Sequence, residues 1–242
     1  MNLIIDIGNN SAKYFLFNGE QLILHARKEN TSFGIIGEWN SLYEIDKVII
    51  SSVITEQPAL TDELSKLECP VVRFNNTLKL PLDIKYRTPH TLGSDRLAAA
   101  VGAWSEAAGR NIIIIDAGSA ITVDFIDRNG NYLGGNIAPG IKMRLKALHE
   151  YTALLPMIEK EGETPAIGYD TETAIRSGVI NGICHEIDGY INEFKQKYSD
   201  VLVFLTGGDE KTLNNRVKNC IFADKYLVAK GLNRILKDYG NK

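Results

Sequence analysis

The sequence predicts an α/β fold made of two similar halves packed around a cleft. Three observations carry that expectation. The apolar run Leu3-Ile4-Ile5 ends in Asp6-Ile7-Gly8-Asn9-Asn10-Ser11, and the run Ile112 to Ile115 ends in the matching Asp116-Ala117-Gly118-Ser119-Ala120. Each copy opens a meander of short alternating strands that gives way to strands alternating with helices. The 242 residues, 44% hydrophobic and 24% charged, are enough for two halves with a sizeable core. A lone Asp-x-Gly is common, but two copies behind matched strands describe a divided phosphate site. Each strand delivers a carboxylate to its tip, and the tight turn that follows can leave backbone N–H groups for an anion.

The first half reads as strands at 2–6, 12–18 and 21–28, with Asn18-Gly19-Glu20 as the second turn. A helix near 31–40, a strand at 47–52, a helix near 57–68 and a strand at 70–74 complete it. Turn formers and two prolines make Asn75 to His90 an irregular crossing. A helix starts between Gly93 and Asp95, with Ser94 or Thr91 as its cap, and stops at Gly109. The second half repeats the meander at 111–116, 120–126 and 131–138 with Asp127-Arg128-Asn129-Gly130 as the hairpin turn. Helices at 140–150 and 170–197, strands at 201–206 and 219–222 and a helix at 224–238 follow. The expected halves are 1–109 and 110–242.

Net charge is -3 and the pI is near 5.9, with no stripe of Lys and Arg, so nucleic acid and anionic membrane are excluded as partners. The apolar runs are strand-sized and a charge falls at position 6, which argues against a membrane span or signal peptide and for a cytoplasmic protein. The three cysteines, Cys69, Cys184 and Cys220, form no C-x-x-C pair and read as free thiols.

Two carboxylates at strand tips suit magnesium, which takes one or two of them together with nucleotide phosphates. In the first turn Gly8 permits close approach, Asn9, Asn10 and Ser11 donate hydrogen bonds, and Lys13 adds charge. Ser119 would reach a phosphate from the matching turn. Neither G-x-x-x-x-G-K-[ST] nor G-x-G-x-x-G occurs, which disfavours a P-loop or dinucleotide site. Thr206-Gly207-Gly208-Asp209 offers bare backbone at a strand end, where a ring or sugar can slide in. Gly134-Gly135-Asn136 and Pro139-Gly140 bring backbone close to a ligand, a cation or another strand. Gly93-Ser94-Asp95-Arg96 places an acid and an arginine at a helix start, so Arg96 can grip a carboxylate and Asp95 can accept a hydroxyl proton. The four histidines lack zinc spacing, and there is no G-x-S-x-G elbow.

On Asp6 to Ser11, Tyr86-Arg87-Thr88-Pro89, Gly93 to Arg96, Asp116 to Ala120, Gly134 to Gly140 and Asp170-Thr171, the chain resembles the type III pantothenate kinases. These belong to the actin-like superfamily of acetate and sugar kinases and heat-shock ATPases. The resemblance runs end to end, and Gly-x-Asp-Arg between two Asp-x-Gly copies is its most specific part. It implies a duplicated ribonuclease-H-like fold, with mixed sheets flanked by helices, and a homodimer. The implied reaction is ATP-dependent phosphorylation of pantothenate at its primary hydroxyl, the first step of coenzyme A synthesis. It puts the triphosphate on Asp6, Ile7, Gly8, Asn9, Asn10, Ser11, Ala12, Lys13 and Ser119, and pantothenate on Tyr86, Gly93, Ser94, Asp95, Arg96 and Thr171. It makes Asp95 the proton acceptor and Asp116 the ligand of a monovalent cation, potassium or ammonium, where the residues alone suggest magnesium. Asp6 is left as the partner of the nucleotide's magnesium. Ser119 stands where the family often has Thr and keeps the hydroxyl. An ATP-binding regulator on the same scaffold could dispense with Asp95 or Arg96, and both are present; a sugar or acetate kinase would ordinarily need a longer chain.

Overall fold

The computed structural model describes residues 1–8, 11–55, 57–75, 78–219 and 222–240. Its contacts divide the chain into two compact units, Met1–Glu106 with Tyr226–Lys242, and Ala107–Lys225. The expected second half, 110–242, includes the last helix, but that helix packs on strands of unit 1.

Unit 1 contains β1 (Asn2–Ile7), β2 (Ala12–Asn18), β3 (Gln21–Lys28), α1 (Ile35–Leu42), β4 (Lys47–Ser52), α2 (Pro58–Ser65), β5 (Val71–Arg73), β6 (Asp83–Ile84) and α3 (Ser94–Ala107). Its sheet runs β3-β2-β1-β4-β5, with β1 antiparallel to β2 and parallel to β4. Leu3, Ile5 and Ile7 on one face of β1 join Tyr14, Leu16, Ile36, Trp39, Val48 and Leu60 in a core under α1 and α2. The other face of β1 and β4 is covered by the returning helix. Both faces are therefore buried, which is why β1 reads as an almost unbroken apolar run.

Unit 2 contains β7 (Asn111–Ala117), β8 (Ala120–Ile126), β9 (Asn131–Pro139), α4 (Ile141–Glu150), α5 (Thr171–Lys197), β10 (Val201–Thr206), α6 (Glu210–Asn214) and β11 (Phe222–Ala223). Its five strands repeat the first arrangement as β9-β8-β7-β10-β11, with β7 antiparallel to β8 and parallel to β10. Ile113, Ile115, Val123 and Phe125 pack with Ile175, Ile180, Ile183 and Ile187 of α5. The chain closes with α7 (Leu227–Asp238). The expected strands and long helices are present within a few residues. Pro58 at the first position of α2 and Gly34 before α1 set later starts than the sequence suggested. The short pieces β6 and α6, and a 3₁₀ turn at Pro89–Thr91, were not expected. Residues 220 and 221 of the expected strand at 219–222 lie outside the described residues.

Candidate active site

The sheet register of unit 1 sets four polar side chains in one row. Arg27 on β3 stands opposite Lys13 on β2, Lys13 opposite Asp6 on β1, and Asp6 opposite Ser51 on β4. Cross-strand partners share a face. The adjacent row on that face is His25, Phe15, Ile4 and Ile49. The ring of Tyr226, just before α7, lies 5.9 Å from Phe15 and 5.2 Å from His25. Apolar packing thus covers the face up to Tyr226, and the chemistry begins one row beyond it.

Lys13 Nζ lies 3.2 Å from Asp6 Oδ2, and the Asp6 side chain is 15% exposed. Burial pushes the Asp6 carboxyl above its usual range, Lys13 pulls it down, and the charge of Asp95 pushes it up again. The turn after β1 is closed by Gly8 N donating to Ser11 O at 2.9 Å, so that amide is committed to the turn. Asn30 Nδ2 donates to Gly8 O at 3.3 Å, and Arg27 Nε donates to Ser11 Oγ at 2.9 Å. Asn9 and Asn10, both expected phosphate donors, lie outside the described residues.

Ser51 is buried, and its Oγ lies 3.0 Å from Ser94 Oγ. This contact ties the row to the start of α3. The expected capping by Ser94 or Thr91 is replaced: Ser94 is the first helical residue with its hydroxyl engaged by Ser51, and Thr91 Oγ1 donates to Thr88 O at 2.9 Å. Asp95 Oδ1 accepts from Arg96 N at 2.8 Å. A Cβ on Gly93 would sit 2.5 Å from that same oxygen, so glycine there makes room for the carboxylate. Arg96 is buried, and its guanidinium lies 5.8 Å from the centre of the Tyr86 ring. Asp6, Lys13, Tyr86, Gly93, Ser94, Asp95 and Arg96 therefore belong to one neighbourhood of unit 1. Ser51 and Arg27 belong to it too, and sequence reasoning missed both. Strand register is what brings them in, and no local motif marks either residue.

The corresponding row in unit 2 is Ile137, Thr122, Asp116 and Thr206. Hydroxyls stand on both sides of Asp116 where unit 1 has an ammonium on one side. Thr122 Oγ1 is buried without a hydrogen-bond partner among the described residues. Gly118 N is committed to Ala120 O at 3.0 Å, and Ser119 is exposed. Gly207 has φ +101, and a Cβ on it would sit 2.5 Å from Asp116 Oδ1. The Gly207-Gly208-Asp209 turn is thus docked on the β7 tip, and Asp209 N donates to Ala117 O at 2.9 Å. Gly135 packs against Val123 of β8, and Gly140 against the Gly118-Ser119 turn, so those glycines approach backbone.

Thr171 is the first residue of α5, and Asp170 caps that helix by accepting from Thr173 N at 2.8 Å. With Arg144, Tyr151, Leu155, Ile175 and Val179 it lines a largely apolar hollow of about 840 Å³ within unit 2.

A family model described as type III pantothenate kinase matches residues 2–193. A type III pantothenate kinase of Bacteroides fragilis is 47% identical over 241 residues, covering 100% of this chain and 99% of its own length. Among solved structures, a Campylobacter jejuni protein described as a Baf family transcriptional activator aligns with TM-score 0.64 at 24% identity. That alignment covers 99% of this chain and 100% of the other. A Sinorhizobium meliloti protein described as a 2-dehydro-3-deoxygalactonokinase aligns with TM-score 0.63 at 12% identity over the whole of both chains. At those identities the structures show the fold alone, that of the actin-like ATPases and sugar kinases.

Proposed function

The chain belongs to the type III pantothenate kinase family, whose reaction is ATP-dependent phosphorylation of pantothenate for coenzyme A synthesis, and we propose that the polar row of unit 1 carries that chemistry. The observation that supports this most is the Ser51–Ser94 hydroxyl contact at 3.0 Å. It fastens the helix start that bears Asp95 to the strand row that bears Asp6 and Lys13.

The turn from Asp6 through Lys13 holds the triphosphate, with Lys13 shifting from Asp6 to a phosphate oxygen when nucleotide arrives. Ser119, on the matching turn of unit 2, contributes a hydroxyl to the nucleotide. Asp95 is the general base. Its Oδ1 is held by the Arg96 amide, which leaves the other oxygen to accept the proton of the acceptor hydroxyl. Arg96, clamped against Tyr86, binds the polar end of pantothenate, assisted by Gly93 and Ser94, and Thr171 adds a hydroxyl from α5. Catalysis is positioning and electrostatics without a covalent enzyme intermediate.

The residues fit both cations of the family. Asp6 offers a partly enclosed carboxylate to the magnesium of MgATP, and Asp116 with the unpartnered Thr122 hydroxyl offers oxygens to potassium or ammonium. When bound, such cations neutralise phosphate charge. The protein works in the cytoplasm; among its described residues no helix is long and apolar enough to cross a membrane. It works as a homodimer, a reading supported by Tyr151, Leu154 and Ile167 in unit 2, which are at least 85% exposed.

A coupled assay of ADP formation tests the proposal. ADP should form only when pantothenate is present, and more slowly when sodium replaces potassium. Equal ADP formation without an acceptor would overturn it.

A further inference from the structure

We propose that Arg27, which neither the motifs nor the family resemblance singles out, is a phosphate-binding residue of the nucleotide site. The inference rests on the reading of the Gly8–Ser11 turn as the triphosphate turn. Arg27 is the outermost member of the polar row, directly across from Lys13. Its Nε donates to Ser11 Oγ at 2.9 Å, which fixes the plane of the guanidinium beside the turn. Only one of its five N–H groups is used there. Arg27 is exposed, and it has no carboxylate partner among the described residues. Its cross-strand neighbour Lys13, by contrast, is paired with Asp6.

An arginine anchored through Nε presents both terminal nitrogens in a planar fork, the geometry that meets two oxygens of one phosphate. Its neighbour Lys13 supplies a point charge on a flexible stem. The two together give the turn one oriented and one adaptable cation. The corresponding position in unit 2 is Ile137, opposite Thr122. The duplicated sheets thus differ in charge where the proposed phosphate turn lies, and Arg27 makes half of that difference.

The test uses the whole enzyme with Arg27→Gln and Arg27→Lys, and measures by calorimetry the affinity for magnesium-loaded ATP and for AMP. Arg27→Gln should weaken ATP binding about tenfold and leave AMP binding and the KM for pantothenate within twofold. Arg27→Lys should recover only part of the loss, because a lysine keeps the charge but loses the planar fork. A brace acting only through the Ser11 hydrogen bond would survive in Gln, which still donates. Arg27→Gln with ATP affinity within twofold of the parent overturns the assignment, and so does an equal loss for ATP and AMP. Turnover of Asp6→Asn, measured alongside, separates the two ideas. If it falls while Arg27→Gln binds ATP normally, the role of Arg27 alone is lost. If Asp6→Asn turns over normally too, the site reading is overturned and Arg27 goes with it.

Discussion

Asp6 sits in the row between Lys13 and Ser51, and burial together with the Asp95 charge raises its pKa in the fold. A raised carboxyl pKa makes a contribution to stability that is full below the unfolded value of 3.8 and is lost as pH rises through the folded value. At neutral pH the ionised Asp6 is therefore a burden on the empty protein. Asp6→Asn should melt at a higher temperature than the parent without nucleotide, with the difference shrinking as pH is lowered toward 4. The same variant should lose about a hundredfold in turnover at saturating MgATP, the usual effect of removing one preorganised electrostatic group. Asp95→Asn should melt like the parent and lose about 10² to 10⁴ in turnover, the range for a general base. Gly93→Ala gives a separate check. The added Cβ would press on a carboxylate oxygen at the end of a rotatable side chain, so the fold survives and Asp95 moves. Thermal denaturation should shift little while kcat falls about tenfold or more.

Among the elements, the strands announced themselves and the short connectors did not. The meanders were legible because alternation and Gly-containing turns are local signals, and β2, β3, β4, β8 and β10 fall where the pattern put them. α6 and β6 are too short to show a period. Most of the candidate site was legible for the same reason: Asp6, Asp95, Arg96 and Asp116 lie in compact motifs. Ser51 and Arg27 acquire meaning only from register, which sets strands remote in sequence side by side. The docking of the turn after β10 on β7 was half visible, as a glycine pair read as room for a ring or sugar. Its purpose is steric, and Gly207→Ala tests it. The substitution forces a positive φ on alanine and crowds Asp116 Oδ1, so it should destabilise unit 2 by about 1–3 kcal/mol in urea titration and weaken the response to potassium.

For the molecule as a whole, the informative property is one topology used twice with different chemistry. Both central strands carry an aspartate in the same register, with Lys13 beside one and Thr122 beside the other. One copy sets an ammonium beside its aspartate and the other a hydroxyl. The second whole-chain property is the allocation of α7 to unit 1. Leu232 and Leu236 are fully buried there. Leu232→Ala should cost about 2–5 kcal/mol. Amide exchange should then accelerate in β1 and β4 with β7 and β10 unchanged.

The route of the chain also orders its birth. Everything in unit 2 leaves the ribosome before α7 does, so the domain begun first is the one finished last. Until those final turns emerge, the strand that bears Asp6 presents a bare apolar flank to whatever chaperones wait at the exit. A chain stopped before Leu227 would hold all the strands of unit 2 and leave unit 1 open where α7 should lie.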